Sequence, residues 1–420
     1  MNGRIHFLVN RLRERLWIRP LMFCIFSVAG AFLARIADQM DIAEYVPEIT
    51  PNSIETLLSI VAASMLVIAT FAVASMVSAY ASATSSATPR SFPLIISDDV
   101  SKNALSVFVG AFIFSIVALV ALQNGYYERA GHFALFVLTL SVFAWVVLTF
   151  VNWVDKIARL GRLGTTIDKV EAAAASALQN RRRSPNLGGV APDPSKAPGD
   201  PVFCSTIGYV QRVDVAALQR YAEKHSLRIT VVALPGAFAV PDIPLCYFAV
   251  TGGEAAEDIQ SRLAAAFIIG DGRVFEDDPR FGLIALSEIA ARALSPAVND
   301  PGTAIDVIGT LLRLFSAYIE PLERSDGDDG QCALVQIPEL SIHDMFDDAF
   351  TCIARDGAGA IEVQIRLQKA FASLAAMGDA QLRDAARRHS RQAFARARRV
   401  LSLPEDIEVL TGAAKWSGGI

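Results

Sequence analysis

Carboxylates that could bind a metal ion stand close together at one point of the chain. Four acids fall within eight residues: Asp271, Glu276, Asp277 and Asp278. Hard divalent cations prefer such oxygen ligands, but the spacing matches no EF-hand, because Arg273 and Val274 occupy positions where ligands would alternate. Acids also suit the positive end of a helix. A solvated loop or a helix N-terminus is the favoured interpretation, and we assign no metal ligands.

A second group of polar residues lies at a predicted corner between two helices: Ser295, Asn299, Asp300 and Thr303. Pro296 ends one helix, and Pro301 suits the first turn of the next. Asp300 or Asn299 would cap that second helix. Two interpretations stay open. The polar side chains either satisfy the backbone of the corner, or Asn299 and Asp300 face a ligand or a gate in the cytoplasm.

Signatures of common enzyme classes are absent from the sequence, which contains no G-x-G-x-x-G, Walker, H-E-x-x-H or G-x-S-x-G motif. The five histidines have no local acid or cysteine partners, and the five cysteines form no C-x-x-C, which indicates reduced thiols. We therefore expect no enzyme activity, no catalytic residues and no cofactor. A metal-dependent membrane enzyme that uses Asp277, Asp278 or Asp300 is a weaker hypothesis.

The predicted helices and strands that hold these polar groups in place include a long segment without charge. Residues 56–89 contain no Asp, Glu, Lys, Arg or His, and the first part of the segment is long enough to cross a bilayer. Small side chains recur there at every fourth position and would form one row on a helix: Thr70, Ala74, Ser78, Ser82 and Ser86. Such a row permits close helix packing in lipid or lines a polar pathway. The residue types leave both interpretations open.

Four transmembrane helices are predicted in the first 160 residues: 20–34, 57–80, 104–122 and 132–151. Lys and Arg are frequent before the first span and after the fourth, whereas the two predicted outer loops hold few. The positive-inside rule therefore predicts a multi-pass protein with both termini in the cytoplasm. The spans hold no ionisable side chain at depth, which argues against a proton-coupled pump or a voltage sensor.

The composition agrees with a membrane protein. The chain has 420 residues, 53% of them hydrophobic, a mean hydropathy of +0.38 and a net charge of −5, which does not suggest nucleic-acid binding. We divide it into a transmembrane domain at 1–160, a helix and linker at 161–200, a small cytoplasmic α/β domain at 201–270 and a cytoplasmic helical domain at 271–420. The predicted fold class is thus a four-helix membrane domain followed by a cytoplasmic α/β unit and a helical region.

Two features of the cytoplasmic part bear on its organisation. Residues 184–201 are rich in Pro, Gly and Ser, which is typical of a mobile linker. The predicted helix at 381–401 carries seven arginines. We expect them to pair with Asp344, Asp347 and Asp348. Contact with anionic lipid headgroups is the alternative.

Several short strings resemble one family of membrane proteins. The longest is RALSPAVNDPGTA at 292–304, and the others are Thr-Pro-Arg at 88–90, Gly-Tyr-Val at 208–210 with Asp214, and Pro-Gly at 235–236. They are similar to the uncharacterised bacterial membrane proteins grouped as domain of unknown function 2254, over nearly the whole chain. The resemblance implies a protein of the bacterial inner membrane and brings no activity with it. Gly302 stands where a bulky residue, often Phe, is expected.

The first functional hypothesis is an oligomeric channel or pore-like transporter with a regulatory cytoplasmic domain. Four short spans cannot easily enclose a water-filled path, so the pathway would need a cyclic homo-oligomer. The alternative is a membrane-anchored sensor or scaffold that binds a ligand or a protein partner through its cytoplasmic domain. The expected partners are the lipid bilayer, further copies of the chain and an unknown cytoplasmic ligand or protein, with no nucleic acid.

Overall fold

The computed structural model describes eight stretches of the chain: residues 18–39, 46–86, 88–96, 99–159, 163–195, 199–252, 258–320 and 332–418. Three parts that carry charge lie outside them: residues 1–17 of the basic segment at 1–19, Asp41 and Glu44 between the first two predicted spans, and the acids at 323–330. The described part is mostly helical. It divides into two compact units, Met1–Thr166 and Ile167–Ile420, and each is described by itself.

Helices make up the first unit: α1 (Ile18–Leu33), a 3-10 helix (Ala34–Gln39), α2 (Pro51–Ser86), α3 (Phe92–Ile96), α4 (Asp99–Gln123) and α5 (Arg129–Arg159). Helices α2, α4 and α5, and α1 together with the 3-10 helix that continues it, contain stretches long and apolar enough to cross a membrane. With 36 residues, α2 extends over about 54 Å, well beyond a hydrocarbon core of ~30 Å. Each predicted span overlaps one of these four helices.

A fifth helix is also long and apolar enough to span a membrane, but it belongs to the second unit. It covers Pro301–Ile319 and is less apolar than the other four. It carries Arg313, whose guanidinium contacts the carboxylate of Glu171 at two points, 2.8 and 2.7 Å. Its apolar side packs in the core of the second unit. We therefore keep a count of four spans as our proposal.

Helix α4 contacts α1, α2 and α5 and so holds the first unit together. Gly110 permits the close approach of α1, because a Cβ atom there would lie 3.2 Å from Phe23 Cβ and from Ser27 Oγ. Farther along, the rings of Phe108 and Trp153 meet edge to face with centroids 6.2 Å apart. Packing between these helices thus combines large apolar side chains with the close approach of α1 at Gly110.

Asp38, which lies between the first two predicted spans, belongs to the 3-10 helix and caps α5. Its carboxylate accepts hydrogen bonds from the backbone N–H groups of Glu128 at 3.0 Å and Gly131 at 2.5 Å. A side chain at position 131 would collide with it, because a Cβ atom would lie 2.3 Å from Oδ2. Tyr127 donates a 2.7 Å hydrogen bond to the carbonyl of Ala31. These bonds fasten the end of α1 to the beginning of α5.

Helix α6 (Leu163–Arg183) lies mostly in the second unit, from Ile167 onward, and an α/β part follows it. Its elements are β1 (Asp200–Val202), β2 (Gly208–Val213), α7 (Val215–His225), β3 (Leu227–Val231), β4 (Phe238–Ala239), β5 (Cys246–Val250), α8 (Ile259–Ala264), β6 (Phe267–Gly270) and β7 (Val335–Gln336). One sheet has the order β1-β5-β3-β7, in which β3 and β7 are parallel. The other is antiparallel, with the order β4-β2-β6.

The alternation of apolar and polar residues at 202–213 predicts one strand, and this prediction is wrong, because the segment contributes to two strands in different sheets. Strand β1 pairs with β5, with Val202 opposite Cys246, whereas β2 pairs with β4 and β6 in the other sheet. The alternating pattern runs through the turn between the two strands, so it does not mark the change of sheet. Side chains of β3 and β5 alternate between core and surface, and those of Leu227, Ile229 and Val231 are buried.

The remainder of the second unit is helical: α9 (Pro279–Ala293), α10 (Pro301–Ile319), α11 (Ile342–Asp356), α12 (Ile361–Met377), α13 (Ala380–Val400), α14 (Pro404–Ala414) and a final 3-10 helix (Lys415–Ser417). Four buried phenylalanines from three of these helices meet in its core: Phe315, Phe346, Phe350 and Phe371. The centroids of the Phe315 and Phe346 rings are 4.8 Å apart. The helical region predicted from the sequence is therefore present and has an aromatic centre.

The predicted linker at 184–201 begins with a segment that pairs with the sheet. The N–H of Val190 donates to Val335 O at 2.9 Å, and the N–H of Ile337 donates to Val190 O at 2.9 Å. This parallel bridge continues the four-stranded sheet beyond β7. Gly189 lies against the same strand, where a Cβ atom would be 2.5 Å from Val335 O. The expectation of a mobile linker therefore rests on the residues after Val190.

Helix α6 packs within the second unit. Ala174 lies against Gly282 of α9, where a Cβ atom would come within 2.4 Å of the Ala174 Cβ. Near the end of α6, Arg181 is 3% exposed, and its Nη2 donates to the carbonyl of Pro338 at 2.9 Å. Burial lowers the pKa of Arg181 to about 10, while Tyr318 and Glu339 oppose the shift. The helix predicted as a connector is thus part of a core.

Candidate functional site

The predicted row of small residues lies on the outward side of α2 within a single chain. Three of its members are exposed: Thr70, Ala74 and Ser78. The opposite side of the helix packs through larger side chains. Thr70 Oγ1 donates a 2.8 Å hydrogen bond to Leu66 O of its own helix, so this hydroxyl is satisfied without an external partner. The side chains of Ser82 and Ser86 lie outside the described part. A packing partner for the row would be lipid or another copy, and both predicted roles stay predictions.

The four residues predicted at the helix corner meet there and hydrogen-bond to one another or to the adjoining backbone. Asp300 caps α10, because Oδ1 accepts the Thr303 N–H at 3.1 Å and Oδ2 accepts the Thr303 hydroxyl at 2.6 Å. These bonds lower the pKa of Asp300. Asn299 has a left-handed backbone, with φ of +51°, and its N–H donates to Ser295 O. The capping interpretation fits these bonds, and a ligand for Asn299 and Asp300 stays a prediction.

A cluster of charges that the sequence analysis missed joins the loop before α9 to the helical part. We define the charged junction as five side chains: Arg273, Asp278, Arg280, Asp344 and Asp348. Arg273 contacts Asp278 through Nε to Oδ2 at 2.6 Å and Nη2 to Oδ1 at 2.9 Å. Asp278 is 1% exposed, and its Oδ1 also accepts the N–H of Phe281. The interpretation of this acidic stretch as a helix N-terminus is confirmed for Asp278.

Gly236 brings a β-turn of the α/β part against this ion pair. Its φ is +94°, which favours glycine. A Cβ atom there would lie 2.4 Å from Asp278 Oδ2 and 2.7 Å from Arg273 Nη2. The N–H of Gly236 donates to Val210 O of β2 at 2.8 Å, which holds the turn against the three-stranded sheet. The Pro-Gly turn and the charged junction therefore fit each other only without a side chain at position 236.

Arg280 extends the junction to α11. Its Nε contacts Asp348 Oδ2 at 2.6 Å, and its Nη1 contacts Asp344 Oδ2 at 2.7 Å. Burial raises the pKa of Asp348, and the hydrogen bond and charge of Arg280 oppose that rise. Asp344 is more exposed than Asp348, at 49% against 16%. One arginine thus connects the start of α9 to one face of α11.

The edge of this region carries a looser ion pair. Arg212 of β2 lies 3.8 Å from Asp277, and both side chains are exposed. In the neighbouring turn, Gln211 Nε2 donates to Gly272 O at 2.8 Å. In the described part of the chain, no group of three His, Cys, Asp or Glu side chains has an arrangement suited to a metal ion. Of the acids weighed for a metal enzyme, Asp278 is engaged by Arg273 and Asp300 by Thr303.

Three aspartates of α11 form ion pairs with two different helices, α9 and α13. Asp347 lies 3.6 Å from Arg388 of α13, as predicted. The prediction is wrong for Asp344 and Asp348, which pair with Arg280 of α9 instead. His389 Nε2 is 3.1 Å from Asp347 Oδ1 without hydrogen-bond geometry. Burial lowers the pKa of His389 to about 4, because desolvation outweighs the attraction of Asp347.

The ion pairs of the charged junction could not be predicted from the sequence. Arg280 is 64 and 68 residues away from its two carboxylate partners, so no local spacing connects them. The Asp-Pro-Arg string at 278–280 has the form of a helix cap followed by proline in the first turn, and it could have marked the start of α9. It could not have indicated that Arg280 reaches α11.

The comparisons with known proteins agree with this membrane architecture. A family described as "Predicted membrane protein (DUF2254)" matches residues 13–373. Uncharacterised proteins of Mycobacterium tuberculosis (strain CDC 1551 / Oshkosh) and Mycobacterium bovis (strain ATCC BAA-935 / AF2122/97) are each 26% identical over 323 residues, or 73% of this chain. The chain spans 61% of the length of these relatives. No solved structure matches. The chain belongs to the DUF2254 family of predicted membrane proteins.

Proposed function

We propose that this protein is a membrane-anchored sensor or scaffold of the bacterial inner membrane, in which the second unit binds a ligand or a protein partner. The observation that carries the proposal is the division of the chain: residues 167–420 form a compact unit with apolar cores of their own. The first unit, with its long apolar helices, then serves as the anchor. Both termini lie in the cytoplasm in this proposal, as the distribution of Lys and Arg indicates.

The edge of the charged junction is the place where we expect the ligand or partner to bind. Arg212, Asp277 and Asp344 have exposed side chains, at 49%, 41% and 49%. Asp277 precedes the buried Asp278, which Arg273 holds in a bidentate ion pair, and Asp344 contacts Arg280. Exposed charges of both signs next to these ion pairs suit a charged ligand or a charged protein surface.

Ligand-induced stabilisation tests this proposal. We would follow urea unfolding of the second unit in the full chain, held in nanodiscs, with inorganic phosphate, Mg²⁺, nucleotides and charged peptides as probes. A ligand at a hundred times its Kd adds about 2.7 kcal/mol to the free energy of unfolding. Arg212→Gln should abolish that gain, and Arg262→Gln, at an exposed position elsewhere in the unit, should not. The absence of any stabilising probe together with the absence of any cross-linked partner would contradict the proposal.

An oligomeric channel is the second candidate, and one observation favours it. Thr70, Ala74 and Ser78 are exposed on a single chain, so copies arranged around an axis could bring their rows together. Against it, the Thr70 hydroxyl bonds to its own helix, and bulky Val67, Phe71 and Val77 are exposed beside the row. Ion or solute flux through liposomes that contain the assembled protein would support a channel. Assembled protein without flux would count against it.

A further inference from the structure

Arginines line the exposed side of α13. Arg387, Arg391 and Arg398 fall within an arc of about 40° around the helix, which has 3.6 residues per turn. All three are exposed, and we call them the arginine stripe. The opposite side of the helix is buried and includes Leu382, Ala385 and Ala393. The stripe therefore faces away from the core of the second unit.

Nearby acids are engaged with other partners. Asp347 contacts Arg388 and His389, and Asp384 lies 3.7 Å from His343. Within the described residues, the stripe forms no ion pair and no side-chain hydrogen bond, so its positive charge is not neutralised there. Three acids of α14 follow the end of α13: Glu405, Asp406 and Glu408.

Helix α12, which packs against α13, carries a further exposed basic residue. Gln368 of α12 accepts a 2.5 Å hydrogen bond from the Ser390 hydroxyl and donates to Ser390 O at 3.1 Å. This contact aligns α12 with the middle of α13, between Arg387 and Arg391. Lys369, the next residue on α12, is exposed at that level.

We propose that the arginine stripe binds the headgroups of anionic phospholipids in the membrane that the chain itself spans. The planar fork of a guanidinium matches a phosphate, and several such groups in a row favour a charged surface over a single ion. The spans tether the second unit to the bilayer, so the surface meets lipid at a high effective concentration. The contact would fix how the second unit lies on the bilayer. This inference is independent of the function proposed above.

Arginine-specific labelling tests the proposal on the full chain. The protein is placed in nanodiscs of phosphatidylcholine alone or with 40% phosphatidylglycerol, and phenylglyoxal modification is followed at each arginine by mass spectrometry. Anionic lipid should slow the labelling of Arg387 and Arg391 by about five-fold, the equivalent of one basic residue held at an anionic surface. Arg220 and Arg262, which are exposed elsewhere in the unit, serve as internal references and should not change.

Three results would overturn the proposal: equal rates at the stripe in both lipids, slowing of all arginines alike, or the same slowing when glycerol phosphate is added to phosphatidylcholine nanodiscs. The last would indicate binding of any phosphate rather than a lipid surface. A variant provides a second readout. In phosphatidylglycerol nanodiscs, Arg391→Gln should raise the labelling rate of Arg387, and Arg262→Gln should leave it unchanged. Labelling of Arg387 that is indifferent to Arg391→Gln would also count against a shared surface.

Discussion

At the scale of single residues, Gly236 is where the charged junction leaves no space for even a methyl group. A Cβ atom would overlap Asp278 Oδ2 at 2.4 Å, and the backbone is left-handed with φ of +94°. We expect Gly236→Ala to lower the free energy of unfolding of the second unit by about 1–3 kcal/mol, since overpacking and backbone strain both oppose it. Gly272→Ala is the control, because open space surrounds Gly272. Urea unfolding of both variants in nanodiscs measures the difference, and equal stability would contradict the tight fit.

Substitutions of Asp300 can distinguish the two interpretations of the helix corner, helix capping and ligand binding. Asn caps a helix about as well as Asp, so Asp300→Asn should leave stability nearly unchanged, whereas Asp300→Ala should cost about 1 kcal/mol. If the carboxylate faces a ligand, Asp300→Asn should weaken ligand binding while stability is kept. Unfolding curves and binding assays on both variants make the distinction. A large loss of stability in Asp300→Asn would show that the negative charge matters beyond capping.

His389 should make the second unit less stable in acid. Its pKa falls from an ordinary 6.5 to about 4 on burial, so the unfolded chain binds a proton in this interval and the folded chain does not. Stability is therefore complete above pH 6.5 and is lost as the pH falls toward 4, by at most about 3 kcal/mol. His389→Leu should flatten this slope in pH-dependent melting curves. If His389→Leu leaves the dependence of stability on pH unchanged, other groups cause the acid sensitivity.

Among the helices, α2 carries the row of small residues, from which we predict how substitutions affect assembly. Within one chain Ser78 is exposed, so Ser78→Leu should leave the fold of a monomer intact. If another copy packs on the row, the added bulk should weaken assembly, since overpacking a tight site costs ~1–3 kcal/mol. Ser78→Ala should be nearly silent, and Val77→Leu, about 100° away, should matter less. Size-exclusion chromatography and flux measurements on the three variants test whether another copy packs on the row. Identical behaviour of Ser78→Leu and wild type would indicate that the row faces lipid.

The elements differ in how well the sequence predicts them. Long apolar segments mark helices α2, α4 and α5, because composition alone distinguishes such a segment from a soluble helix. The helix corner at 295–303 can also be predicted from the sequence, since proline and capping residues act on the backbone next to them. Residues 184–190 are different: glycine and proline indicate a linker, but the backbone pairs with β7, which lies some 145 residues further along the chain. Contacts over such distances leave no periodic signal.

For the whole molecule, a sensor or scaffold anchored by its spans needs a second unit that folds without the membrane. Helix α6 is the element that decides where this unit begins, because Ala174 packs on Gly282 and Arg181 is buried against Pro338. The sequence analysis placed the boundary near residue 201, which would separate α6 from these contacts. A fragment from 201 onward would expose the surfaces of α9 and α10 that α6 covers, and we expect it to lose stability or to aggregate.

The most direct test of the central claim is therefore urea unfolding of residues 163–420, expressed without the spans and followed by circular dichroism, with residues 201–420 as the matched control. If the second unit is a self-contained module that the spans anchor, the longer fragment should be monodisperse and helical and should unfold in one cooperative transition. The shorter fragment should unfold at a lower urea concentration or precipitate. A longer fragment that is unfolded or aggregated, and that becomes ordered only with the transmembrane unit attached, would contradict the account.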